Sequence, residues 1–110
     1  MSEYIPDCWV IVKITNDDKS HYRVFAGWYG GYLSGDSWKM NSGITAFRVK
    51  PQHIEFDGTS GSMYLCNKCA EKMSSYMMSV LASMQSNLEG PKNIKVVEFA
   101  TFCKEFKVED

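Results

Sequence analysis

Residues Cys8 to Ile14, Cys-Trp-Val-Ile-Val-Lys-Ile, constrain this chain more than any other stretch. The run is almost wholly β-branched or aromatic and too short for a good helix, so it reads as a strand. Only Lys13 interrupts its apolar character. Such a strand is buried on both faces, and something must cover each of them. Asn16-Asp17-Asp18-Lys19-Ser20 is a polar turn. His21 to Ala26 then alternates, with Tyr22 and Val24 against His21, Arg23 and Phe25, and gives a second strand hairpinned to the first.

Further strands are expected at Ile44–Val49, ended by Pro51, and at His53–Phe56 and Ser62–Leu65 about the turn Asp57-Gly58-Thr59-Ser60-Gly61. Ala70, Met73, Met77, Val80, Leu81, Met84 and Leu88 recur at spacings of three and four, with Ser74, Ser75, Ser79, Ser83 and Ser86 opposite. That periodicity predicts one long helix over about 67–89, capped by Asn67 and stopped by Gly90-Pro91. A last strand at Ile94–Phe99 and a short helix from about Thr101 follow, before a tail at 107–110. The expectation is an α+β fold, a single domain over 1–110, with an antiparallel sheet of about five to six strands packed on the long helix.

With 110 residues, 45% hydrophobic and 23% charged, the chain suits one globular core and is no disordered segment. Its formal net charge of -1 argues against duplex nucleic acid, which needs a basic surface. No apolar run is long enough to span a membrane. Residues Met1 to Asp7 carry neither a basic region nor an apolar signal core, so a cytoplasmic setting is expected.

Chemistry-bearing motifs are few. Cys66-Asn67-Lys68-Cys69 has the spacing of a dithiol redox site, at a strand-to-helix junction beside a lysine. The same pair could join Cys8 and Cys103, or His21 or His53, on zinc, but a structural zinc site usually has two close pairs. Four reduced, inert thiols are the preferred reading, with no metal and no cofactor. Neither histidine stands near a recognisable nucleophile motif, and Asp57 fits turn duty better than acid–base work. No catalytic residues are assigned.

The segment 27–43 stands apart. It holds Trp28, Tyr29, Tyr32 and Trp38 among five of the eight glycines. Aromatic faces offer stacking for a planar group, while glycine and serine let backbone amides approach a ligand closely. Lys39 and Arg48, with Arg23 as a further cation, can meet phosphate. If this loop and the second turn meet at one end of the sheet, they form a pocket for a small anion or nucleotide. The expected site comprises Trp28, Tyr32, Asp36, Trp38, Lys39, Ser42, Arg48 and Ser60. A plainer reading makes the segment a meander whose rings cover the second face of the sheet.

Residues 28–44 and 57–64 also resemble small proteins carried by tailed bacteriophages, a resemblance that spans about 8–85. In size and loop character the chain is similar to phage counter-defence proteins that sequester nucleotide-derived immune signals. That resemblance implies a non-enzymatic sponge in the host cytoplasm that binds a nucleotide-like ligand. Such sites are often shared between subunits, so a homo-oligomer is expected. The alternatives are an inhibitor that blocks a host protein through an exposed aromatic patch, and a small nucleotide-processing enzyme using Asp36 with a histidine.

Overall fold

The computed structural model describes residues 2–30, 35–87 and 93–106. Its strands are β1 (Glu3–Tyr4), β2 (Cys8–Asn16), β3 (Lys19–Trp28), β4 (Ser37–Met40), β5 (Ile44–Val49), β6 (His53–Gly58), β7 (Met63–Asn67) and β8 (Asn93–Val97). A 3-10 turn at Lys68–Ala70 and two helices, α1 (Ser75–Ser86) and α2 (Phe99–Glu105), complete the described elements. The strands form two four-stranded sheets, β1-β7-β6-β5 and β4-β3-β2-β8, where one sheet was expected. Pairing is antiparallel throughout except for the parallel contact of β1 with β7.

The apolar run at 8–14 explains the layering. Trp9 and Ile11 of β2 join Val24, Ala26 and Val97 on one face of their sheet, packed on Ile44, Ile54, Phe56, Tyr64 and Cys66 of the other. Cys8, Val10, Val12 and Ile14 point the opposite way, with Phe25 and Ile94, onto Met77 and Leu81 of α1. The central strand is therefore covered by a sheet on one side and a helix on the other. The alternation read from β3 holds: Val24 faces the sheet and Phe25 the helix.

The single long helix of 67–89 is corrected to a 3-10 turn, an irregular stretch and a helix of 12 residues. Four tertiary ties keep the first part out of the helix. Asn67 still pairs with His53 in the β7–β6 ladder, and its carbonyl accepts the Trp9 indole N–H at 2.7 Å. Glu71 makes an isolated bridge with Trp9 and accepts the Phe99 backbone N–H at 2.8 Å. Asn67 does cap, but the 3-10 turn, accepting from Cys69 N. Ser74 caps α1, its hydroxyl accepting from Met77 N at 3.1 Å. The expected Gly90-Pro91 stop and the tail at 107–110 lie outside the described residues. No described helix is long and apolar enough to cross a membrane.

Asn41 carries the chain from one sheet to the other. Its backbone N–H donates to Val24 O at 3.0 Å, and its side-chain Oδ1 accepts from Val24 N at 2.8 Å. The side chain thus replaces a strand carbonyl where β4 ends and the backbone leaves for β5.

Candidate functional site

The residues expected to form one pocket are distributed over several surfaces. Trp28 lies between the sheets, its indole N–H donating to Ile5 O at 2.9 Å and its ring edge-on to Tyr4, centroids 6.4 Å apart. Lys39 lies on that side too, its Nζ 5.1 Å from the centre of the Tyr4 ring. Trp38 pairs with Gly27 and points to the α1 side, edge-on to Phe25 at 5.8 Å. The pleat therefore puts the two tryptophans on opposite faces of one sheet. Asp36 caps the loop, its carboxylate accepting from Gly30 N at 3.3 Å. Tyr32 lies outside the described residues.

Arg48 is committed elsewhere. On the outer side of the β5–β6 pair its Nε donates to Glu55 at 2.8 Å, and both terminal nitrogens donate to Asp57 at 2.8 and 2.9 Å. The hydrogen-bonded guanidinium holds the Asp57 and Glu55 carboxyls below their ordinary range. Two carboxylates already facing this cation oppose the approach of a phosphate.

The two turns do meet. Ser42 Oγ accepts from Ser60 N at 2.9 Å and stands 3.2 Å from Ser60 Oγ, while Thr59 N donates to Gly43 O at 3.1 Å. These polar groups bind one another across the turns, so the contact ties the β4–β5 crossover to the β6–β7 hairpin.

The cysteine pair is split by exposure. Cys69 is exposed, whereas Cys66 is buried, and burial pushes the Cys66 thiol up, away from the reactive thiolate a redox dithiol needs. Cys8 is buried with its thiol 3.3 Å from Met77 Sδ. Among the described residues no three of His, Cys, Asp and Glu converge as metal ligands.

A cavity that the sequence reading did not assign lies where α1 ends over its sheet. It encloses about 210 Å³. Its floor is apolar: Ile14 of β2, Met40 of β4, Met84 of α1 and Ile94 of β8. Its rim is polar: Asn16, His21, Arg23 and Asn87. His21 and Arg23 come from the polar half of β3, on the same face as Phe25, just beyond the reach of the helix.

Arg23 Nε donates to His21 Nε2 at 3.0 Å. An accepting Nε2 leaves the proton of the neutral ring on Nδ1. Burial first, and then the neighbouring guanidinium, lower the His21 pKa below its ordinary value. No carboxylate stands within ion-pair distance of Arg23 among the described residues. A half-buried cation beside an apolar floor has the chemistry to receive an oxyanion attached to an apolar or planar group. The signal in the sequence was the alternation of β3, which puts two polar, basic side chains on its helix-facing side.

No known protein family, curated protein or solved structure matches this chain.

Proposed function

We propose that the protein is a non-enzymatic binding module that sequesters a small nucleotide-like signalling molecule, held on the helix side of the β4-β3-β2-β8 sheet. The observation that carries this reading is Arg23, a cation without a carboxylate partner among the described residues, set at the mouth of an apolar cavity. The cavity is smaller than the roughly 300–1,000 Å³ that enclose a whole drug-sized ligand, so it takes one end of the molecule and the rest extends along the sheet. Trp38 lies on that same face and is 40% exposed. Its strand partner Gly27 stands four residues from Arg23, a separation of about 13 Å along a strand. That length suits a phosphate at Arg23 and a base against Trp38. In this reading Arg23 and Trp38 bind the ligand, while Trp28, Lys39, Ser42, Arg48 and Ser60 support the frame. The phage counter-defence role, the host cytoplasm and a homo-oligomeric state belong to the same proposal.

A thermal-shift screen against cyclic dinucleotides, cyclic mononucleotides and ADP-ribose derivatives tests it. One class raises the melting temperature, and the ligand is recovered intact after denaturation. Arg23→Gln abolishes the shift. Trp38→Ala weakens binding by about 1–3 kcal/mol, the usual worth of a base–aromatic stack. A screen with no response, or a shift that Arg23→Gln leaves unchanged, rejects the reading. A second reading, an inhibitor of a host protein, draws on the exposure of Tyr29 (53%) and of Trp38. It predicts a specific host protein in a pull-down, lost with Tyr29→Ala, and no small-molecule shift.

A further inference from the structure

The contact between His21 and Arg23 joins two basic side chains at one mouth of the cavity, and only one of them carries charge in the arrangement seen. We propose that His21 is the second arm of the oxyanion site: an oxyanion arriving at Arg23 replaces the imidazole as acceptor, and the ring, taking a proton from solvent, becomes a second cationic donor to it. The proposal rests on the reading in which Arg23 receives the oxyanion.

Geometry supports the exchange. The guanidinium and the imidazole Nε2 are already 3.0 Å apart, so an oxygen that replaces the nitrogen at Arg23 stays within hydrogen-bond reach of the ring. His21 lies on β3 and is exposed, so the ring can turn without disturbing the core. The charged groups around it are Arg23 on its own strand and Asp17, Asp18 and Lys19 in the β2–β3 turn, which borders the same histidine in an adjoining cavity. The facing ends of β2 and α1 supply the neutral Asn16 and Asn87. Without an oxyanion, partial desolvation of the ring and then Arg23 oppose a charge on His21. With one, the incoming negative charge reverses that balance. The bound state then holds more protons than the free state, so affinity must rise as pH falls.

Sulfate is the appropriate probe, because it stays fully ionised over this range while phosphate does not. In the wild-type protein sulfate binds severalfold more tightly at about pH 5.5 than at about pH 7.5; a pKa shift of about one unit on His21 gives at most about tenfold between pH values well below and well above both midpoints. Proton NMR follows the ring directly: saturating sulfate raises the His21 titration midpoint. His21→Gln still binds sulfate, more weakly at the acid end and with no dependence on pH. Its melting temperature is compared with that of the wild type to confirm the fold. Equal affinity at both pH values, or a slope that survives in His21→Gln, overturns the role of His21 and leaves Arg23 as an oxyanion site. No sulfate binding at acid pH, or wild-type binding by Arg23→Gln, overturns both.

Discussion

Gly27 lies directly beneath Met77, and a methyl group at that position would collide with the Met77 thioether. The glycine therefore serves the seat of α1 on the sheet, not a ligand. Trp28, its neighbour, is likewise explained by packing, since its ring joins the inter-sheet core and its N–H is satisfied by Ile5. The unusual aromatic and glycine content of 27–43 was visible in the sequence, but its partition between faces was not. Two tryptophans ten residues apart are assigned to opposite sides only once the β3–β4 register is known, and the intervening turns hide it. His21 and Arg23 show the converse: their shared face was legible from period-two alternation, and the cavity beside them was not. Thiol chemistry reads out the same local environments. Cys69 and Cys103 are exposed and should react with a disulfide reagent at once in the native protein, whereas buried Cys8 and Cys66 should react only as it unfolds. A titration in native buffer and then in denaturant checks this, and four equally fast thiols would contradict it.

Among the elements, α1 shows how tertiary contacts override a local pattern. The three-and-four spacing correctly picked Met77 and Leu81 as its buried face. It also continued back through Met73 and Ala70, but Ala70 closes the 3-10 turn that follows Asn67, the residue that the ladder to β6 and the Trp9 hydrogen bond hold extended. Periodicity reports which side chains seek the core, not which backbone groups another strand has already claimed. Asn67 was expected to cap the helix, but the helix starts later and Ser74 caps it, while Asn67 caps the 3-10 turn. Ser74→Ala should reduce stability by about 1 kcal/mol and lower the helical circular dichroism signal. Asn67→Ala, which uncaps the 3-10 turn alone, should leave that signal unchanged. Denaturant unfolding monitored by circular dichroism compares the two.

At the scale of the whole molecule, three layers stand where two were expected. The apolar character of β2 on both faces was the clue to this, but the sequence offered no way to divide eight strands between two sheets. That division depends on Asn41, whose side chain completes the β3 edge as the main chain departs. The open end of the two-sheet core is closed by α2. Phe102, fully buried, packs its ring near those of Phe47, Phe56, Phe99 and Phe106, with Tyr22 edge-on at 5.2 Å. Truncation of such a ring typically costs about 3–5 kcal/mol. Phe102→Ala should therefore remove much of the roughly 5–15 kcal/mol that holds a typical domain together, a loss that urea unfolding would measure directly. An unchanged midpoint would mean that α2 contributes little to closure of the core.

The position of β8 beside β2 bears on how the protein is made. The β2–β3 hairpin can form early, but its outer edge and part of its helix-side face await Ile94 and its neighbours, near the far end of the sequence. While a ribosome is still synthesising the segment between them, that hairpin carries an apolar surface and an unpaired row of backbone amides. Slow elongation or truncation before residue 93 should thus favour aggregation over folding, a hazard set by strand order and independent of the stability of the finished molecule.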